Sequence, residues 1–232
     1  MSAPRDGVAR VSSPGGARLA RTLLVATRNG GKRAELHMAL APLGYGLVDL
    51  NDVGVDPSPL EDTIEAFTSF EENAVAKARY YAAASGGLPT IADDSGLAVD
   101  ALGGAPGVFS RRWSGAPGPD AEVFRANNAK LLGELADGRP RDARFICAVA
   151  LADGPDVVVA RGEVIGRIAL APRGTRGFGY DPLFECETLG WRTFAEVGAD
   201  EKAAVSHRGR ALAALVAALS ARIAARPTGE AG

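Results

Sequence analysis

An abrupt change of pattern near the start of the chain limits its fold more than any other feature. Thr22-Leu23-Leu24-Val25-Ala26-Thr27 is a short apolar run, Arg28-Asn29-Gly30-Gly31 breaks it, and Lys32 to Leu40 reads as a helix. A short apolar run bounded by glycines fits a buried strand. Strand, glycine turn and helix in that order set a helix N-terminus beside the carboxyl end of the strand. In α/β proteins anions bind there, because free backbone N–H groups converge and the helix dipole favours negative charge.

The remaining pattern agrees with a layered α/β chain. Tyr45 to Leu50 predicts a second strand, and the polar stretch Asn51 to Asp62 a loop. Ser69 to Ala84 predicts a strong helix: Phe70, Ala74, Lys77, Ala78 and Tyr81 recur at helical spacing, and Ser69 with Glu72 three residues on forms a capping-box pattern. Leu88 to Ala92 reads as a strand that ends in a turn, Asp93-Asp94-Ser95-Gly96. Gly103 to Gly118 reads as an ordered loop, and Asp120 to Ala136 as a helix capped by Asp120. Ala143 to Ala152 and Val157 to Ile168 look like neighbouring strands. A second glycine-rich loop, Pro172 to Asp181, precedes a short strand, Leu183 to Cys186. One last helix reaches Ala225, with Leu212, Leu215, Val216, Leu219 and Ile223 as its apolar stripe. The expected architecture is α/β: a mixed central sheet in two lobes flanked by helices, with a substrate cleft between the lobes. Residues 1–21 and 226–232 read as flexible tails around a single two-lobed domain, 22–225.

Composition narrows the function. With 47% hydrophobic and 23% charged residues the chain is of globular type. Its net charge of −2 and its lack of a Lys/Arg run argue against a dedicated nucleic-acid binder, which needs a basic field to neutralise phosphates. Small anionic ligands remain open to it. The two cysteines, Cys147 and Cys186, lack metal-ligand spacing, and Cys147 lies in an apolar run. No secretory leader is recognisable, and no apolar run approaches the roughly 20 residues that span a bilayer. A cytoplasmic protein without a membrane partner is expected.

Four segments carry chemistry. Thr27, Asn29 and Lys32, with Gly30 and Gly31, would offer a hydroxyl, an amide, backbone N–H groups and an ammonium to phosphate oxygens. This is not a Walker A loop, since Arg33 follows Lys32 and the first glycine is missing. Asp93 and Asp94 are adjacent, so on an extended chain they point to opposite faces, one to the cleft and one to hold the loop. An oxygen-rich site of this kind suits Mg²⁺. Glu61, Asp62, Glu65, Glu71 and Glu72 are candidates for a second carboxylate. In Arg173 to Pro182, Phe178 and Tyr180 can stack on a base, while Asp181 can read its edge. Lys202 and Ser206-His207-Arg208-Gly209 add donors. His37, inside the first helix, reads as structural or exposed.

In this order the segments resemble the inosine triphosphate pyrophosphatase family, which acts on noncanonical purine nucleoside triphosphates. The resemblance runs from about Leu23 to about Leu219. It is carried by Thr27-Arg28-Asn29-Gly30-Gly31-Lys32, Phe70-Glu71-Glu72-Asn73-Ala74 with Lys77-Ala78, Ala92-Asp93-Asp94-Ser95-Gly96-Leu97 through Pro106-Gly107-Val108, Gly177-Phe178-Gly179-Tyr180-Asp181-Pro182, and Ser206-His207-Arg208. The resemblance implies hydrolysis of ITP, dITP and XTP to the monophosphate and pyrophosphate, with Mg²⁺, in a homodimer. It makes Asp94 the general base and a metal ligand. Ser95 and Thr27, Arg28, Asn29, Gly30, Gly31 and Lys32 would contact substrate, the latter six through the triphosphate. Phe178, Gly179, Tyr180, Asp181, Lys202, His207 and Arg208 would bind the nucleotide and its base. An ungapped match makes Glu65 the second metal carboxylate; an insertion in the loop would give that role to Glu61. Two departures stand out. Ala66-Phe67 replaces a more common Thr-Gly pair, and Arg111-Arg112 replaces Ala-Arg, a change expected to matter little to chemistry. Two rival readings are a pyrophosphatase for modified pyrimidine nucleotides, disfavoured by the His207-Arg208 pair, and a nucleotide sensor, disfavoured by the intact Asp93-Asp94 pair.

Overall fold

The computed structural model describes residues 22–136 and 138–224. The stretches read as tails, 1–21 and 226–232, lie outside the described residues. The frame is one seven-stranded sheet: β1 (Thr22–Val25), β2 (Gly46–Asp49), β3 (Thr90–Val99), β4 (Asp142–Asp153), β5 (Asp156–Ile168), β6 (Phe184–Cys186) and β7 (Arg192–Thr193), in spatial order β2-β1-β3-β4-β5-β6-β7. β1 runs parallel to β2 and β3, and every later pair is antiparallel. The mixed sheet is therefore as expected. Its parallel end is connected through helices and its antiparallel centre by the hairpin β4–β5.

The helices are α1 (Gly30–Leu40), α2 (Glu61–Ile64), α3 (Phe70–Ala84), α4 (Asp120–Glu134), α5 (Ala199–Val205) and α6 (His207–Ala224). Strand alternation sorts them onto two faces. Leu24, Ala92, Ala148 and Ala150 pack with Ala74, Ala78 and Tyr81 of α3. Their neighbours Leu23, Val25, Ile91, Cys147 and Val149 pack with Leu36 and Leu40 of α1 and Ala211, Leu212 and Leu215 of α6. The alanines on both α3 and β4 let helix and sheet approach closely. A third cluster joins Leu131 of α4 and Leu135 just after it to Phe145, Phe184 and Phe194, with the Phe145 and Phe184 rings 4.6 Å apart. Cys147 and Cys186 are both buried and free.

Four local readings change. β3 continues through Asp93-Asp94-Ser95-Gly96, which is mid-strand and not a turn. Gly96 is there for close approach: a Cβ would lie 2.4 Å from Gly107 O and from Ser110 Oγ. A helix that was not anticipated, α5, precedes the final one, and the two part at Ser206, which adopts an extended ψ of 159° and whose Oγ accepts the Gly209 N–H at 3.1 Å. The loop after β2 contains the short α2. Asp120 does not cap α4; Pro119 occupies that position, and Asp120 sits in the first turn with its carboxylate aimed elsewhere.

Candidate active site

Asn29 starts the site. Its extended backbone and its Oδ1, which accepts the Lys32 N–H at 2.9 Å, make it the N-cap of α1. The helix thus begins at Gly30, earlier than the pattern suggested. Thr27, Arg28, Asn29 and Lys32 line a cavity of about 500 Å³. Gly30 and Gly31 are not among its walls. Gly31 serves a different purpose: a Cβ there would lie 2.3 Å from the Phe178 ring, so glycine lets that ring rest on the start of α1.

β3 crosses beneath the cavity and splits its two aspartates between the faces of the sheet. Asp93 turns toward α1 and α6. Its Oδ2 lies 3.2 Å from Lys32 Nζ and accepts from Arg208 Nε and Nη2 at 3.2 and 3.1 Å. Burial alone would raise this carboxyl, yet Lys32, Arg208 and Lys77 hold it well below the usual carboxylate range. Its second anchor is the buried Cys147, whose thiol is pushed up to about 12 by burial and the nearby Asp93 charge. Asp94 turns toward α3, lines the cavity, and is only 4% exposed. Its Oδ2 accepts from Asn73 Nδ2 at 3.0 Å, and its Oδ1 is 3.5 Å from Lys77 Nζ. Here burial prevails: with Glu65 repelling it, Asp94 is shifted upward despite Lys77 and Lys32.

Glu65 follows α2 and reaches the same lysine, with Oε1 2.8 Å from Lys77 Nζ. Lys77 is therefore shared by Glu65 and Asp94. Glu61 also lines the cavity, but Arg28 takes it from Nε and Nη2 at 3.3 and 2.8 Å. The geometry sets Glu65, and not Glu61, beside Asp94. Arg112 fixes the loop by donating to the Glu65 carbonyl at 3.0 Å and approaching its carboxylate at 3.4 Å. Arg111 lines the cavity next to it. Both side chains of the Arg111-Arg112 departure stand in the site wall.

The far end of the cavity is aromatic and basic. Asp181 Oδ2 accepts the Phe178 N–H at 2.8 Å and pairs with Lys202 Nζ at 2.6 Å, which shapes the Phe178-Gly179-Tyr180-Asp181 loop. Lys202 lies 4.8 Å from the Phe178 ring centroid. Tyr180 is buried and donates its hydroxyl to Ser110 O at 3.0 Å. His207 opens α6, is buried, and stacks on Phe145 at 4.6 Å. Burial and the Arg208 and Lys202 cations hold His207 well below the ordinary imidazole range, so it is neutral at pH 7. Arg208 is 1% exposed and pairs with Asp93 and Glu35, with Nη2 also donating to Ser95 Oγ at 2.8 Å.

The sequence-chosen residues thus meet in one place. Thr27 to Asn29 and Lys32, Glu65, Asp94 and Ser95, Phe178 to Asp181, Lys202, His207 and Arg208 all line the same cavity. A family model for the Ham1 family matches residues 23–218. The chain belongs to the Ham1 family.

Similar Ham1 proteins cover almost the whole chain. A dITP/XTP pyrophosphatase of Mycolicibacterium paratuberculosis is 51% identical over 209 residues, 88% of this chain and 98% of that one. The structure of a HAM1 protein from Coxiella burnetii matches with a TM-score of 0.72 at 39% identity, covering 86% of this chain and 98% of the other. A nucleoside-triphosphatase / dITP/XTP pyrophosphatase from Mycobacterium abscessus matches with a TM-score of 0.64 at 48% identity, covering 85% and 99%.

Three buried-charge partners in this Ham1 chain were missed by sequence reasoning. Glu35 of α1 pairs with Lys202 at 2.8 Å and with Arg208. Lys77 and Asn73 of α3 orient Asp94. Asn73 and Lys77 were read only as parts of a motif or an amphipathic face. The available signal was a lysine at a core-facing helical position, because a buried lysine needs a carboxylate partner.

Proposed function

We propose that this Ham1-family chain hydrolyses ITP, dITP and XTP at the α-phosphorus, giving the nucleoside monophosphate and pyrophosphate, and so keeps these nucleotides out of DNA and RNA. The observation that carries the proposal is one cavity joining the residues at the start of α1, a carboxylate pair and an aromatic, basic end. Its volume of about 500 Å³ suits a small-molecule ligand. Relatives named dITP/XTP pyrophosphatase support the choice of substrate.

The residues fit Mg²⁺. Glu65 and Asp94 offer hard oxygens, and they stand close enough for Glu65 to raise the Asp94 pKa, a repulsion that a divalent cation would relieve. Among the described residues no cluster of three or more His, Cys, Asp or Glu is placed to hold a metal. Two protein carboxylates, with waters and substrate phosphates completing the shell, is the usual arrangement for this ion. When bound, Mg²⁺ neutralises phosphate charge and makes a water more acidic. Asp94, which lines the cavity as a carboxylate, accepts the proton of the attacking water. Asn73 and Lys77 hold its carboxylate in place. Lys32, Arg28 and Thr27, which line the cavity, bind the triphosphate at the start of α1.

Phe178 stacks on the base, and Gly179, Tyr180 and Asp181 shape its pocket. Arg208 has five N–H donors, of which four are engaged by Asp93, Glu35 and Ser95. The remaining Nη1 proton is offered to a 6-oxo group and mismatches the 6-amino group of adenine. Neutral His207, with its Nδ1 buried and unpartnered in the structure, supplies a second discriminating atom. We take residues 22–225 as one two-lobed domain of a cytoplasmic homodimer without nucleic-acid or membrane partners. Among the described residues no helix is long and apolar enough to cross a membrane.

The test is pyrophosphate release from ITP, XTP, dITP, ATP, GTP and dTTP, with and without Mg²⁺. Metal-dependent release confined to the first three is expected. Preference for dTTP, or tight ITP binding without release, would overturn the reading.

A further inference from the structure

The Arg111 side chain is half exposed at the cavity wall, and its partners form a connected set. Its Nη2 donates to Asp120 Oδ1 at 2.6 Å, while Asp120 Oδ2 accepts from Asn29 Nδ2 at 2.9 Å. One carboxylate on the first turn of α4 thereby collects a guanidinium and the side-chain amide at the start of α1. These are the kinds of donor that a phosphate oxygen takes. The guanidinium also lies 5.9 Å from the Phe124 ring centroid, and Phe124 is 6.3 Å from Phe178. Arg111 therefore stands between the phosphate-facing end of α1 and the aromatic end.

The root of this arm is fixed although its tip is half exposed. Buried Asn127 donates to Ser110 O at 3.0 Å and Arg111 O at 3.1 Å, and accepts from the Ser114 N–H at 2.8 Å. Tyr180 secures Ser110 O from the other side. The backbone at Arg111 is held by two buried side chains, and the guanidinium can change partner without moving it.

We propose that Arg111 is a further substrate-binding residue, which grips the anionic phosphate chain of the nucleotide and uses Asp120 as its counterion in the free enzyme. A phosphate oxygen entering the cavity takes the donors of Arg111 and Asn29, and Asp120 is released to water. The assignment rests on the nucleoside triphosphatase reading given above. It makes the two partners act in opposite directions: Arg111 favours substrate, and Asp120 competes with it. A plain surface tether would give the same sign for loss of either partner.

The experiment compares Arg111→Ala, Arg111→Lys and Asp120→Asn with the parent chain. KM and kcat are measured for ITP, and binding of inorganic triphosphate is measured by calorimetry with Mg²⁺ present. Arg111→Ala is expected to raise KM and weaken triphosphate binding roughly five- to tenfold, as for a partly exposed charge-assisted contact, with little change in kcat. Arg111→Lys, which keeps the charge but loses the planar fork, should recover part of that loss. Asp120→Asn should tighten triphosphate binding. Equal-sign effects of Arg111→Ala and Asp120→Asn, or no effect of either, would overturn the assignment. Normal ITP turnover with an indifferent Arg111 removes this proposal alone, whereas a parent chain that neither binds triphosphate nor hydrolyses ITP removes the parent reading with it.

Discussion

On β3 a single peptide bond separates two carboxyl groups with opposite surroundings. Asp93 faces Lys32 and Arg208 and is held below its ordinary value, while Asp94 faces the cavity beside Glu65 and is raised. Asp94→Asn keeps the size of the side chain and its place beside Asn73, so the fold should persist. Removing a positioned base should slow turnover by a factor on the order of 10² to 10⁴. Steady-state rates and a melting curve check this, and near-normal turnover would remove the base role. Asp93→Asn should instead destabilise the chain by up to about 3–5 kcal/mol, because it takes a carboxylate from Lys32 and from buried Arg208, which is left with Glu35 alone. The sign with pH follows from a depressed carboxyl: its stabilisation is present above the ordinary value of 3.8 and is lost as pH falls below it. The melting gap between Asp93→Asn and the parent should be full at pH 7 and shrink under acid. The alternation of the two side chains was legible in the sequence. Their setting was not, since a glycine after two aspartates also signals a turn, and only the neighbouring Gly107 and Ser110 reveal why Gly96 lacks a side chain.

Helices and strands were legible wherever a local pattern decides them, as in α3, where Ser69 Oγ accepts the Glu72 N–H at 3.2 Å. α5 was not anticipated, because its short run carries no apolar stripe and only Lys202 is buried, although Ser206 ahead of His-Arg-Gly is itself a cap signal for the helix that follows. Asp120 was misread for the opposite reason: its type suits a cap, but its carboxylate is claimed by Arg111 and Asn29. The contact of α6 with β5 was invisible from either segment alone. Gly162 of β5 lies under α6, where a Cβ would come within 2.1 Å of His207 O and 2.4 Å of Ala211 N. Those are backbone atoms, so the helix itself must shift. Gly162→Ala should cost about 1–3 kcal/mol of stability by overpacking. It should also raise KM for ITP, since α6 carries His207 and Arg208. Thermal unfolding and ITP kinetics test the two effects, and a variant normal in both would show that the close contact constrains nothing.

Across the whole molecule, the cavity draws on residues from Thr27 to Arg208. Its motifs were legible because most sit at or beside the ends of strands and helices, where pattern breaks attract notice. Glu35 and Lys77 were not, because each occupies a helical position that reads as ordinary and its charge partner is distant in sequence. This gathering has a consequence for stability. Glu65 and Asp94 converge on Lys77, and even with Arg112 beside Glu65 the Asp94 carboxyl stays shifted upward. An ion that binds the folded arrangement and not the unfolded chain stabilises the fold by about 2.7 kcal/mol at a hundredfold excess over its dissociation constant. For a chain of this size each kcal/mol moves the melting temperature by about 2–4 °C, so saturating Mg²⁺ should raise it by roughly 5–10 °C. Glu65→Gln and Asp94→Asn should each remove most of that rise, whereas Glu61→Gln should leave it, because Arg28 already neutralises Glu61. Differential scanning calorimetry with and without Mg²⁺ decides the matter. A rise that survives Glu65→Gln and Asp94→Asn would place the ion elsewhere, and no rise in the parent chain would mean that these carboxylates hold no metal until the nucleotide brings its own phosphates.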